Sequence, residues 1–272
     1  MNFAIITKLF LQKSPISGFS LTVTILLAFL VLYISIPLIG LVYIGTSTDL
    51  LQSFTRPETV NALLLSLGTA TISILILSIF GIPLAYALAR FHFRFKFILR
   101  LVVILPLVLP PLASGAMLLG VFGPYSFLGQ IIPFDLTQSV PGIIIAQTYV
   151  SSPFIILPSQ TAFEAVPEKY EIMARVLGKK KFEVFFRISI PLAKTGILVG
   201  LLMAWIRSIG ELGATLMMAY NPHTISIQIF EDNAMGGIKN SVAGIVWVII
   251  LSIVAVVIFV FLRHNHNSKL GW

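Results

Sequence analysis

The stretch TVNALLLSLGTATISILILSIFGIPLAYALA, residues 59–89, contains no charged side chain. A helix needs about 20 apolar residues to cross the hydrocarbon core of a bilayer, and this run exceeds that. A helix also closes its own backbone hydrogen bonds, which lipid cannot do for it. Four more uncharged runs cover residues 14–48, 101–134, 136–163 and 240–262. A sixth apolar stretch, 189–220, differs in holding Lys194, Arg207 and Glu211. The expected spans are 19–45, 61–89, 98–121, 140–161, 190–219 and 241–262. The fold class is therefore all-α, a polytopic membrane protein with six transmembrane helices.

The whole-chain composition agrees. Of 272 residues, 57% are apolar and 10% charged, against about a quarter charged in soluble domains; mean hydropathy is +1.00. A disordered chain needs the opposite balance. The formal charge of +8 suggests nucleic acid only until its cations are located. With the N-terminus placed in the cytoplasm, 15 of the 18 Lys and Arg fall on cytoplasmic segments, Arg56 and Lys239 fall outside, and Arg207 lies within a span. By the positive-inside rule both termini of this multi-pass membrane protein are cytoplasmic. This divides the chain into a cytoplasmic segment 1–18, a transmembrane domain 19–262 with a loop at 162–188, and a tail 263–272. Pro15 and Gly18 follow Lys8 and Lys13 where a cleavable signal would have a short apolar core, so the first span is expected to be retained. The alternation from Arg90 to Phe97 of aromatic and basic residues reads as anchoring among lipid headgroups, not as a base-stacking surface.

Two spans carry helix breakers. Leu105-Pro106-Leu107-Val108-Leu109-Pro110-Pro111 in the third, and Ser151-Ser152-Pro153 with Pro158 in the fourth, remove backbone donors and kink or interrupt their helices. Carbonyls freed at membrane depth must face protein or a wet cavity, which fits a translocation pathway and equally a kinked packing helix. Gly196 and Gly200 have the spacing of close helix contact. Arg207 and Glu211, four residues apart in the fifth span, share a helix face. They read either as a self-neutralising structural pair or as part of a gate or anion route.

The 162–191 loop is the richest segment. Pro167 suits a first helical turn, and Glu164, Glu168 and Glu171 place negative charge near that turn. Gly178 stops the helix, with Lys179, Lys180 and Lys181 at its negative end. Val166, Tyr170, Met173 and Leu177 form one apolar stripe. A second short helix, about 182–188, is expected to stop before Pro191. The stripe must be covered by its own span ends, by the interface, or by a groove on a cytoplasmic partner.

Enzyme readings find no support. There is no cysteine, no HExxH and no GxSxG; the histidines, His92, His223, His264 and His266, fall in loops or the tail. The Gly178-Lys179 pair lacks the glycine that a phosphate-binding loop carries upstream. No cofactor is expected in this chain, and no ATP hydrolysis of its own.

The segment Glu171-Ile172-Met173-Ala174-Arg175-Val176-Leu177-Gly178, closing on Ile188-Ser189-Ile190-Pro191, resembles the EAA loop of the membrane subunits of ABC importers. Met173 stands where that pattern has an alanine, and Ile190 where leucine is common. The proline motif at 105–111 and Arg207-Ser208-Ile209-Gly210-Glu211-Leu212-Gly213-Ala214-Thr215 resemble molybdate, tungstate and sulfate permeases. The Gly-Glu-x-Gly-Ala-Thr form and Ala219-Tyr220-Asn221-Pro222 look more like the molybdate/tungstate branch.

The resemblance implies the type I importer permease fold, with the 162–188 loop as coupling helices docking on two ATP-binding cassette subunits through Glu171, Ala174 and Gly178, joined by Tyr170 and Leu177. It implies a homodimer around a central pathway, with Arg207, Glu211, Ser114, Ser208 and Thr215 as pathway or gate residues. It further implies an extracytoplasmic oxyanion-binding protein at loops 122–139 and 220–240, and the cell membrane of a prokaryote as the location. No nucleic acid is expected; lipid surrounds the rest. A sulfate/thiosulfate permease is the nearer alternative. An ion-coupled secondary transporter is the further one, opposed by a single intramembrane carboxylate, Glu211, and by the lack of an internal repeat.

Overall fold

A computed structural model describes residues 18–46 and 53–267. The expected cytoplasmic N-terminal segment, with Lys8 and Lys13, and the end of the C-terminal tail lie outside the described residues. All the regular elements described are helical. Six helical stretches among the described residues are long and apolar enough to cross a bilayer: Phe19–Thr46, Pro57–Arg90, Pro111–Ile131, Val140–Ala165, Lys181–Ile209 and Ile238–Val260.

The chain divides into two units, Met1–Leu50 and Leu51–Trp272. The first unit holds α1 (Gly18–Thr46). Its large apolar side chains are exposed on every face, the pattern of a helix whose solvent is lipid.

The second unit is built around α6 (Val140–Ala165). This helix packs most extensively on α9 (Ile190–Ile209) and on α2 (Pro57–Arg90), and also on α3 (Lys96–Val108) and α10 (Gly213–Met218). α2 starts on Pro57 with Glu58 in its first turn, and has Arg90 in its last; each suits its end of the helix dipole. Ser139 starts α6, its hydroxyl accepting the Gly142 N–H at 3.2 Å. α12 (Ile238–Asn267) closes the unit and packs on α11 (Ile225–Gly236).

The prolines act differently in the two spans where a kink or an interruption is expected. The third span is broken: α3 ends at Val108, and α4 (Pro111–Phe122) resumes after Leu109-Pro110. The apolar window here is Pro111–Ile131, which takes in α5 (Phe127–Ile131), and is displaced from the expected 98–121. The fourth span is not broken, because α6 runs through Pro153 and Pro158. The Tyr149 carbonyl that Pro153 frees accepts the Ser152 hydroxyl at 2.8 Å. A neighbouring serine thus repairs the ladder.

The loop helices also differ from expectation. α7 is Lys169–Val176, and α8 (Lys181–Val184) passes into a π turn, Phe185–Ser189, and directly on into α9. The helix does not stop before Pro191. Proline lacks an N–H, but the wider π spacing pairs the Ile190 N–H with the Phe185 carbonyl and carries the chain past the defect.

Gly196 and Gly200 set the α6–α9 approach. A Cβ at Gly196 would overlap that of Ala162, and one at Gly200 would lie 3.1 Å from the Ile155 carbonyl oxygen. Gly196→Leu should force the two helices apart at a cost of about 1–3 kcal/mol, typical of overpacking. Thermal unfolding in detergent should show a lowered midpoint; an unchanged one would contradict this packing.

Candidate functional site

The end of the molecule that carries α7 and α8 holds a buried polar clamp. α7 ends in a Schellman turn: Gly178 at φ +83 gives its N–H to the Arg175 carbonyl, and Lys179 N–H reaches the Ala174 carbonyl, both at 3.0 Å. Only glycine adopts that φ without strain. The helix faces inward with Glu171 (4% exposed) and Ala174. The Glu171 carboxylate accepts the Tyr86 hydroxyl at 2.9 Å, Arg90 Nε at 2.9 Å and the Ser189 hydroxyl at 3.0 Å. Arg90 also donates Nη2 to the Val166 carbonyl at 2.7 Å. The Tyr86 ring lies against Phe163 and Phe185 with centroids 5.3 and 4.9 Å away.

This reverses the usual amphipathic logic. α7 buries a glutamate and exposes Tyr170, Ile172, Met173, Val176 and Leu177, the last two at 81%. The expected single stripe is split: Val166 is buried with the aromatic cluster, whereas Tyr170, Met173 and Leu177 face out. Phe182 on α8 and Phe186 in the π turn extend the exposed apolar surface, with their rings 4.9 Å apart. Lys179, Lys180, Lys181 and Arg187 border it, and Glu183 pairs with Lys179 and Arg187 at 3.7 Å. Of the three glutamates expected near the α7 start, Glu168 is the cap and Glu171 lies in the first turn. Glu164 belongs to the end of α6, where Arg100 at 3.3 Å offsets its clash with the dipole.

The second polar constellation lies where the fifth span breaks. α9 ends at Ile209, and α10 begins at Gly213. Glu211 sits in the gap, 1% exposed. One carboxylate oxygen pairs with Arg207, and the other accepts the Ala214 N–H at 2.7 Å, capping α10. The carbonyls freed at the end of α9 find side chains: Gln147 Nε2 donates to the Ser208 carbonyl at 3.1 Å, and the Ser226 hydroxyl to Ile209 at 3.1 Å. Ser73 donates to Gln147 Oε1 at 3.2 Å, and the Ser151 and Ser208 hydroxyls are 2.8 Å apart. A break inside lipid is stable only with such partners.

The two broken spans meet. A Cβ on Gly115 of α4 would come 2.7 Å from the Ala214 carbonyl oxygen, and one on Gly213 would come 2.7 Å from Pro111 Cβ. Ser114, Ser208 and Thr215 are fully buried between helices. Thr215 bonds back to the Glu211 and Leu212 carbonyls, while the Ser114 hydroxyl has no partner. Arg207, with 26% of its side chain exposed, is the most open of the five residues expected along a pathway.

Tyr86, Ser73 and Gln147 did not stand out in the sequence, and Ser151 and Ser189 stood out only as neighbours of Pro153 and Pro191. Arg90, expected to anchor among lipid headgroups, is instead turned inward, its side chain 7% exposed and paired with Glu171. Gln147 left one signal, an amide inside a run with no charge. The clamp as a whole left none, since Tyr86 and Glu171 are 85 residues apart.

At the opposite end, loop 123–139 and the end of α10 form a cleft of about 530 Å³ between Leu119, Tyr125, Gln138 and Met217. Gln138 ties the two together, its N–H donating to the Met218 carbonyl at 3.1 Å and its Oε1 accepting the Asn221 N–H at 3.0 Å. Close by, the Thr137 hydroxyl and N–H hold the Asp135 carboxyl below its ordinary range.

Residues 79–270 match the family model described as a binding-protein-dependent transport system inner membrane component. The chain is 42% identical to the "Probable molybdenum ABC transporter permease protein" of Haloferax volcanii, over 79% of this chain and 80% of that one. It is 36% identical to a molybdate/tungstate transport system permease protein of Thermococcus kodakarensis, over 88% and 94%. It is 32% identical to the molybdenum transport system permease protein of Mycobacterium tuberculosis, over 70% and 73%. A chain of a bacterial alginate ABC transporter, crystallised with an alginate pentasaccharide-bound periplasmic protein, superposes with a TM-score of 0.72 at 17% identity, covering 92% of this chain and 95% of its own. That likeness speaks for the fold.

Proposed function

The chain belongs to the family of binding-protein-dependent transport system inner membrane components, and on that premise we propose that it is the membrane subunit of an ATP-driven importer for molybdate or tungstate. The names of its relatives support that substrate. Two copies face each other around the pathway. An ATP-binding cassette subunit docks on the α7–α8 surface of each, and an oxyanion-binding protein delivers substrate to the opposite end. The chain itself supplies no ATPase site and no cofactor.

The observation that carries the coupling role is α7. A helix that buries Glu171 and exposes Val176 and Leu177 has its apolar face ready for another protein, as helix-in-groove docking requires. The basic border at 179–181 supports a cytoplasmic position for that end, where ATP is available. At the other constellation, an oxyanion needs a polar, weakly positive route without a tight site. Arg207, held by Glu211 at the break where α4 and α10 meet, is placed to act as its gate.

A tagged chain extracted in mild detergent should bring down a second copy and a P-loop ATPase. Recovery of the chain alone, monomeric, under conditions that preserve its helicity would refute this assembly.

A further inference from the structure

We propose that Tyr86, Arg90 and Ser189 are positioning residues that make Glu171 a rigid strut, so that a displacement of α7 is delivered to α2 and α9 together instead of being absorbed in the loop. The proposal rests on the reading of α7 as the ATPase dock.

Glu171 is the only carboxylate on α7, and it points away from the exposed face. Its three donors come from three places in the chain: Tyr86 and Arg90 from the last turn and a half of α2, and Ser189 from the π turn that heads α9. Arg90 adds a bond to the Val166 carbonyl, so the guanidinium grips both the entry to α7 and the helix itself. The Arg90 and Glu171 side chains are 7% and 5% exposed. Buried, charge-assisted bonds of this kind are short, directional and little screened by salt. Without them α7 would hang on Ala174 and the flanking turns alone, and a push on its outer face would rotate it.

The π turn completes the device. Its extra residue is the local irregularity between α8 and α9, and such turns recur at functional hinges. Ser189 donates from inside it to Glu171, and its hydroxyl also lies 3.4 Å from the Val184 carbonyl. The strut therefore holds a point where α9 could bend independently of α7. α9 leads straight to Arg207 and the break before Glu211. α2 packs on α6 and on α9. Two of the helices that surround the polar break are thus tied to one carboxylate at the docking end.

The test uses the reconstituted complex of this chain with its ATPase and receptor. Tyr86→Phe and Ser189→Ala each remove one uncharged donor and leave the Arg90–Glu171 pair, so each single variant should fold and assemble. ATP hydrolysed and molybdate taken up are measured in the same vesicles. For Tyr86→Phe/Ser189→Ala, hydrolysis should stay near wild type while molybdate moved per ATP falls roughly tenfold, with each single variant in between. An unchanged ratio would overturn the proposal. So would a parallel fall in hydrolysis and uptake, or loss of the ATPase from the complex, since either outcome makes the clamp a brace for docking only. Wild-type vesicles that take up no oxyanion with ATP would instead refute the importer reading itself.

Discussion

Val176→Asp/Leu177→Asp should strip the ATPase from the proposed complex and leave the permease folded in the membrane. Both side chains are 81% exposed, so their replacement removes almost no contact within the chain, and changes at such sites usually stay within about 0.5 kcal/mol. In the proposed docked complex the same positions would lie in an apolar groove. An unpaired carboxylate buried there costs several kcal/mol, and every 1.4 kcal/mol is about tenfold in affinity. The expected loss is at least about a hundredfold, read as the disappearance of the ATPase from a pull-down, with thermal unfolding of the isolated permease unchanged. Retained ATPase would show that α7 is not the dock.

Glu211→Ala should disable transport and destabilise the chain together. The carboxylate neutralises Arg207 and caps α10 through Ala214 N–H. Its removal leaves a cation at membrane depth without its partner and a buried N–H without an acceptor. Breaking a buried pair from one side costs about 3–5 kcal/mol. Glu211→Gln keeps an acceptor for Ala214 but not the charge, and should lose less stability. Arg207→Leu/Glu211→Leu removes both charges and should recover much of the stability lost by Glu211→Ala, because no uncompensated ion remains. Uptake should not recover if the anion passes Arg207. A double variant that transports normally would reduce the pair to a structural role.

The spans were legible because lipid imposes one rule, the uncharged run, and residues 59–89 obey it so fully that α2 differs from the expectation only at its ends. Where polar chemistry decides, the sequence was less direct. Prolines marked the break in the third span at Leu109-Pro110, yet the same signal at Pro153 leaves the helix continuous, because Ser152 satisfies the freed carbonyl from within the helix. The break in the fifth span carried a different mark, glycines on either side of a carboxylate, and its stabilising partners lie on other helices: Gln147 on α6 and Ser226 on α11. Glu171 was singled out as a coupling residue, and the structure gives it an inward position. A stripe drawn on α7 by spacing alone could not show that the helix buries its glutamate, because the donors that make this possible, Tyr86 and Arg90, stand more than 80 residues away.

The most direct measurement is uptake into vesicles containing this chain, its ATPase and its receptor, with ATP supplied on the docking side. Molybdate or tungstate should accumulate only when both ATP and receptor are present, and dissipating the ion gradients should make no difference. Accumulation driven by an ion gradient without ATP would contradict the importer reading.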